Sequence, residues 1–221
     1  MKNINLFIYC AGGFGKEVLD IAKRYNDKVK IWNNIDFVDD FSTGLIKNDS
    51  NVYKYCEIEN SEIFFESNFI VANGEPIARL KIMQKLSFDN KKLISIIDPS
   101  AIISKYANLE SGVIVAPLCS VQSDSNICKN ACINTMSVVG HDVRIGENTV
   151  ISSMVNLGGS CTIGDCTYIG MGATIKEGIS IGSNVIVGMG SVVYTDVPDG
   201  MIVIGNPARI IRANISGKIF K

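Results

Sequence analysis

One histidine, His141, stands in the 221 residues, and Asp142 follows it directly. A neutral imidazole takes up a proton near neutral pH, and an adjacent carboxylate can fix its tautomer and orientation. The bland reading of the same pair is a solvated histidine beside a solvated turn aspartate. A second constellation lies near the start: the apolar run Leu6-Phe7-Ile8-Tyr9-Cys10, then Ala11-Gly12-Gly13-Phe14-Gly15, with Asp39-Asp40 further on. A glycine-rich turn between a first strand and a helix lets backbone amides approach a phosphate, and an acidic residue about twenty positions on can bind a ribose hydroxyl or a base. Cys10 holds the place of the first glycine of that fingerprint, so the full GxGxxG is absent and a tight structural turn accounts for the segment as well. The seven cysteines form neither a CxxC nor a Cys/His metal spacing. Zinc chemistry of the carbonic anhydrase type needs about three histidine ligands, which a chain with one histidine does not have, and no metal is expected.

What must position these residues is a repeat. From Ile97 through Ile103, Leu109, Val115, Val121, Ile127 and onward to Val193, every sixth residue is isoleucine, leucine or valine. A period of six is neither the 3.6 of an α-helix nor the 2 of a flat strand. Two positions before the aliphatic residue lies a second inward candidate, usually small: Ala101, Ala107, Cys119, Ser125, Ala131, Ser137, Thr149, Cys161, Thr167, Ala173 and Ser191. Residues i and i−2 of a strand share a face, so each hexad is one short strand with two inward side chains. Cys119 and Cys161 are thereby read as small buried hydrophobes, not nucleophiles. Glycine directly follows the aliphatic residue at Gly140, Gly146, Gly158, Gly164, Gly170, Gly182 and Gly188, and Gly or Asn follows two places later at Gly112, Asn130, Asn148, Gly172, Gly178, Asn184 and Gly190. Both sets are read as corner residues that tolerate positive φ. The pattern resembles the hexapeptide repeat of the left-handed parallel β-helix, three hexads to a triangular coil, with no looped-out insertion between Ile97 and Val193. His141, two residues past the inward Val139, falls at a corner where its side chain leaves the core.

Residues 1–92 carry no such repeat and are expected to form a small Rossmann-like βαβ domain; 93–221 form the β-helix and its C-terminal cap. Strands are expected at Leu6–Cys10, Ile35–Val38 and Phe69–Ala72. Helices are expected from Lys16 to about Tyr25, with Val18, Ala22 and Tyr25 on one face, and from Pro76, carrying Ile77, Leu80 and Leu86. Strand and helix alternate, as in a parallel α/β unit. The N-terminal domain is expected to cover one open end of the prism and residues 197–212 the other. With 21 Lys and Arg against 22 Asp and Glu and no basic block, nothing points to nucleic acid or an anionic membrane surface. No apolar stretch approaches the roughly 18 residues that cross a bilayer, and the opening segment is read as a strand, not a signal peptide. The cysteine usage fits a reduced, cytoplasmic protein.

An AGGxGK-type turn, a second strand ending in Asp-Asp and a hexapeptide prism together resemble the bacterial sugar O- and N-acyltransferases. The sharpest matches are Ile133-Asn134-Thr135, Val138-Val139-Gly140-His141-Asp142 and Ile204-Gly205-Asn206-Pro207-Ala208-Arg209. That family includes acetyltransferases of nucleotide-linked 4-amino-4,6-dideoxy sugars and sialic acid O-acetyltransferases. The resemblance implies His141 as general base, Asp142 as its orienting partner, and a homotrimer with acetyl-CoA in the groove between neighbouring prisms. It implies Gly13, Phe14, Gly15, Asp39 and Gly74 as nucleotide-sugar contacts. Asn134 is implied as a substrate contact, with an inter-coil hydrogen bond as its alternative. Gly158, Gly170, Gly172, Gly188 and Gly190 are positions where the pantetheine arm of CoA can come close to the backbone. Two departures stand out: many relatives have a histidine where this chain has Phe14, and one branch has a glutamate where Gly140 stands.

The reaction so implied is acetyl transfer from acetyl-CoA to the amine of a nucleotide-linked amino sugar for a surface polysaccharide or glycoprotein glycan. No suitably partnered serine or cysteine is evident, which favours direct transfer over an acyl-enzyme. The close alternative is O-acetylation of sialic acid or another sugar hydroxyl. A non-enzymatic trimer built on the same prism has no need of an outward imidazole beside Asp142.

Overall fold

The computed structural model describes residues 4–42 and 46–219. β1 (Leu6–Tyr9), fully buried, is the centre of a six-stranded sheet in the order β3-β4-β2-β1-β5-β6. The other strands are β2 (Ile35–Val38), β3 (Ile46–Lys47), β4 (Ser50–Tyr53), β5 (Asn68–Val71) and β6 (Lys92–Leu93). β2 and β5 flank β1 in parallel, and only β3 runs antiparallel, on β4. Because the chain leaves β1 first for β2 and later returns to β5 on the other side, a topological switch point lies at the carboxyl ends of these three strands, where open α/β sheets bind ligands.

Helix α1 spans Gly13–Val29, so Gly13, Phe14 and Gly15 form its first turn and not the loop expected before it. Cys10 has φ 81°, the conformation for which the fingerprint places a glycine. A Cβ on Gly15 would lie 2.1 Å from the Cys10 carbonyl oxygen, so this glycine serves the close packing of helix on strand. Two short helices, α2 (Tyr55–Ile58) and α3 (Glu62–Phe65), connect β4 to β5, and α4 (Pro76–Phe88) follows β5 with proline in its first turn.

From Ile96 the chain winds a left-handed parallel β-helix. Its first face stacks Ile96–Ile97, Ile114–Val115, Cys132–Ile133, Val150–Ile151, Tyr168–Ile169 and Ile186–Val187; the second runs from Ile102–Ile103 to Val192–Val193, and the third from Asn108–Leu109 to Ser180–Ile181. Every strand pairs in parallel with those one coil before and after. The aliphatic residues from Val115 through Val193 are buried, as are the small residues two positions earlier from Val113 onward. Inward hydroxyls serve the corners: Ser137 Oγ donates to Ser152 O and Thr149 Oγ1 to Gly164 O. The thiols of Cys119 and Cys161 donate to the carbonyls of Asn134 and Lys176, as expected of buried hydrophobes, and all the cysteines are free.

Two expectations about the corners and ends change. From Gly112 to Gly190 every sixth residue has positive φ, including Leu118, Met136 and Met154, so the left-handed corner is imposed by the coil and not reserved for Gly or Asn. The glycines directly after the aliphatic residues are not left-handed; a Cβ at Gly140, Gly158 or Gly170 would lie 2.5–2.7 Å from backbone nitrogen of the next coil. The N-terminal domain does not lid the open end: Ile97, Ile103 and Leu109 stay half-exposed. It lies along the flank, because the outward positions of the first face, Ile96, Ile114, Cys132 and Val150, are themselves apolar and are buried with the α1 residues Val18, Leu19, Ile21 and Ala22. Arg24 ties α1 to Asp98 of the first coil. At the far end Met201–Gly205 extends the first face, pairing its buried Val203 with Val187, and pairs antiparallel with Ala208–Ala213. Among the described residues no helix is long and apolar enough to cross a membrane.

Candidate active site

His141 sits on the corner between the second and third faces, carried out of the core by Val139 below it. Its Nδ1 lies 2.7 Å from Asp142 Oδ2. An ionised carboxylate only accepts, so in the neutral form of the imidazole the shared proton is on Nδ1 and the lone pair is on Nε2. Asp142 is itself a left-handed corner residue, φ 57°, which turns its carboxylate back toward the ring. The imidazole lies over Gly159, one coil on, where a Cβ would come within 2.5 Å of Nε2. The pair is open to solvent, with side chains 68% and 60% exposed, so one chain alone does not enclose it.

The second site is a cavity of about 520 Å³ at the switch point. Its walls are Tyr9 at the end of β1 and Cys10 after it, Asp39, Asp40, Phe41 and Ser42 after β2, Asn73 after β5, Gly12, and the α4 face Ala78, Lys81, Ile82 and Lys85. Gly12 caps α1 without a side-chain hydrogen bond, and the first turn carries no acidic residue, so the helix presents open N–H groups there. Lys81 and Lys85 stand one turn apart on α4. Lys85 Nζ lies 3.8 Å from the centre of the Tyr55 ring and 3.3 Å from Asp40 Oδ2. Tyr9 Oη donates to the same oxygen at 2.5 Å. Burial, reinforced by this bond to Asp40, pushes the Tyr9 phenol far above its usual range. Burial alone would raise the Asp40 carboxyl, but bonds from Tyr9 and the Tyr55 amide and the Lys85 charge bring it below its ordinary value.

Of the residues expected here, Asp39 lines the cavity, and both its oxygens are engaged: Oδ2 accepts from the Ala11 amide, Oδ1 from the amides of Phe41 and Ser42. It therefore shapes the rim. Gly13 is exposed beside the cavity, and Gly74 follows the lining Asn73. Gly15 is buried against Cys10. Phe14 turns the other way, into a small groove against Ala116, Pro117 and Thr135 of the prism. Asn134 lies at the preceding corner from His141, its Oδ1 accepting from the Cys132 thiol, so within one chain the two are not brought together. Gly158 and Gly170 are explained by coil stacking, and Gly188 by the Ile204 side chain of the closing strand. Gly172 and Gly190 differ: a Cβ there meets nothing within 4 Å, and they bare a corner that carries Leu118, Met136 and Met154 in earlier coils. The residues missed in sequence are Tyr9, Asn73, Gly159 and the Ala78–Lys85 stripe. That stripe was visible as spacing i, i+3, i+4, i+7.

Among the described residues no group of three or more His, Cys, Asp or Glu is placed to hold a metal ion. A switch-point cavity on a small α/β domain, packed on a prism that presents a corner imidazole–carboxylate pair, defines a hexapeptide-repeat acyltransferase. Residues 5–86 match the family described as PglD N-terminal domain, and 160–195 match the bacterial transferase hexapeptide (six repeats). Among solved structures the chain is similar to the acetyltransferase domain of PglB from Neisseria gonorrhoeae FA1090, at 31% identity and TM-score 0.88 over 94% of this chain and 99% of that one. It is similar to PerB, the perosamine N-acetyltransferase of Caulobacter crescentus, solved with CoA and GDP-perosamine: 29% identity, TM-score 0.85, 93% and 96% covered. WeeI from Acinetobacter baumannii AYE matches at 29% identity and TM-score 0.88, over 95% of this chain and 100% of that one. The chain belongs to the bacterial sugar O- and N-acyltransferase family of the hexapeptide-repeat superfamily.

Proposed function

We propose that this protein transfers the acetyl group of acetyl-CoA to the 4-amino group of a nucleotide-linked 4-amino-4,6-dideoxy sugar, in the cytoplasm, for a surface glycan. The observation that carries the reading is the His141–Asp142 pair, with Nε2 free at an open corner. The amine nitrogen attacks the thioester carbonyl carbon, His141 Nε2 takes the amine proton, and as the carbon–sulfur bond breaks the imidazolium returns that proton to sulfur, releasing CoA as thiol. Asp142 holds the ring and stabilises the imidazolium that forms. The cavity holds the nucleotide, with its phosphates toward the N-terminus of α1 and the α4 lysines.

A homotrimer completes the site. The exposure of His141 and Asp142 calls for a second surface, and an apolar ridge of Leu118, Met136, Met154, Met171 and Met189 runs exposed along the prism one face away. Such a ridge supports packing of a neighbouring copy. The bare backbone at Gly172 and Gly190 leaves room for the pantetheine arm along the groove.

The test is turnover of acetyl-CoA with UDP-, dTDP- and GDP-linked 4-amino-4,6-dideoxy sugars and with free and CMP-linked sialic acid, followed by thiol release and product mass. An acetamido product with one nucleotide sugar, lost in His141→Ala, is expected. Turnover only with sialic acid would overturn the substrate class, and undiminished turnover in the variant would overturn the base.

A further inference from the structure

Arg79, on α4, is wholly buried, and no carboxylate pairs with it among the described residues. All five of its N–H donors instead meet oxygens of the neutral chain. Nε donates to Asn130 O at 2.9 Å, and Nη2 to Asn130 O at 2.5 Å and Asn130 Oδ1 at 3.0 Å. Nη1 donates to Val71 O at 2.8 Å and Asn73 O at 3.1 Å. Asn130 answers by donating from Nδ2 to Arg79 O and to Asn148 Oδ1, one coil on.

The two groups of acceptors belong to different parts of the molecule. Val71 ends β5 and Asn73 follows it, a wall of the cavity whose Nδ2 reaches Cys10 Sγ on the neighbouring wall. Asn130 is a left-handed corner of the prism, φ 55°, three residues before Ile133. A buried cation without a counter-ion is costly to desolvate, and packing alone is served as well by an apolar side chain. A lysine has three donors on a flexible stem, whereas the guanidinium is a rigid planar fork. What the fork supplies is a fixed spacing between the β5 end of the cavity and the prism corner.

We propose that Arg79 is a positioning residue: it holds the nucleotide cavity in register with the prism, so that a bound nucleotide delivers its sugar to the acetyl-transfer site. This rests on the reading of the cavity given above. Transfer is steep in distance, and a displacement of about 1 Å costs up to about a hundredfold.

The experiment compares wild type with Arg79→Lys and with Asn130→Gly. The second keeps the corner conformation and the backbone carbonyl but removes Oδ1, and it stands in if the lysine variant does not fold. Calorimetry with UDP, dTDP and GDP gives the affinity and the number of nucleotide-binding sites; kinetics give kcat per such site and both KM values. The expected result is a kcat for the nucleotide sugar lowered about tenfold or more, with KM for acetyl-CoA and the nucleoside diphosphate Kd within about threefold of wild type. A kcat per site at the wild-type value in the folded variants would overturn the proposal, because Arg79 would then be structural only. Absence of nucleoside diphosphate binding by the wild type would instead overturn the reading of the cavity, and the positioning role with it.

Discussion

A methyl group placed on Gly159 would lie 2.5 Å from Nε2 of His141, 2.6 Å from Cε1 and 3.0 Å from Cδ2. Ordinary contact begins near 3.4 Å, so in Gly159→Ala the ring must rise by about 1 Å or swing off the corner. The fold has no reason to object. Gly159 has no left-handed φ, and the ring that moves is largely in solvent. A misplacement of about 1 Å is worth up to about a hundredfold in rate, or about 2.7 kcal/mol of barrier. Gly159→Ala is therefore expected to lower kcat by ten- to about a hundredfold at an unchanged Tm. Thiol release under saturating acetyl-CoA and nucleotide sugar gives the rate, and scanning calorimetry gives Tm. His141→Ala supplies the decisive background: if Gly159 acts through the imidazole, adding Gly159→Ala to it lowers the residual rate no further. A Gly159→Ala enzyme at the wild-type rate, or two losses that multiply, would refute the assignment of Nε2 as the proton acceptor.

Asp142→Asn keeps a residue that tolerates the left-handed corner but removes the charge that stabilises the imidazolium; kcat should fall about tenfold or more with the circular dichroism spectrum unchanged. Gly172→Met copies the side chains that Met136 and Met154 already carry in the same conformation, so it should cost no more than about 1–2 kcal/mol in stability while raising KM for acetyl-CoA about tenfold. Ile163, 1% exposed inside the prism, should lose about 2–5 kcal/mol on replacement by alanine and fail to yield soluble protein on replacement by aspartate; urea unfolding reads the first and expression the second. Burial alone would raise the Asp98 carboxyl, but the Ser100 hydroxyl and amide and the Arg24 guanidinium bring it below its ordinary value. The stability it contributes is thus present above its unfolded pKa of about 3.9 and lost as pH falls below that, so the Tm gap between wild type and Asp98→Asn should close below about pH 4.

The period of six made the prism legible because the coil forces the same inward position at every sixth residue, and a buried column admits few side chains. It did not reveal how coils and domains touch. The glycines after the aliphatic residues looked like turn residues, but at Gly140 it is the backbone of Gly158 and Gly159 that leaves no room for a Cβ. The flank taken by the N-terminal domain was written in Ile96, Ile114, Cys132 and Val150, the outward residues of one face in three, while the third face carries Asn108, Asn126 and Arg144 at the same place. Arg79 drew no reading from the sequence, because the four oxygens that hold it come from β5, its loop and the prism, and no local pattern announces them.

What stacks in a triangular coil is 18 residues apart, as Asn130 and Asn148 are. Read at that spacing, the same sequence yields its site. His141 falls on Gly159, the bare position that lets the ring lie flat on the corner. Leu118, Met136 and Met154 align as one apolar edge that gives way to Gly172 and Gly190. Asn130, Asn148 and Asn184 align as the corner that Arg79 grips at its first member. The hexad is the unit of folding because it closes one side of the triangle; the coil is the unit of close approach because residues one coil apart, such as His141 and Gly159, set each other's steric limits.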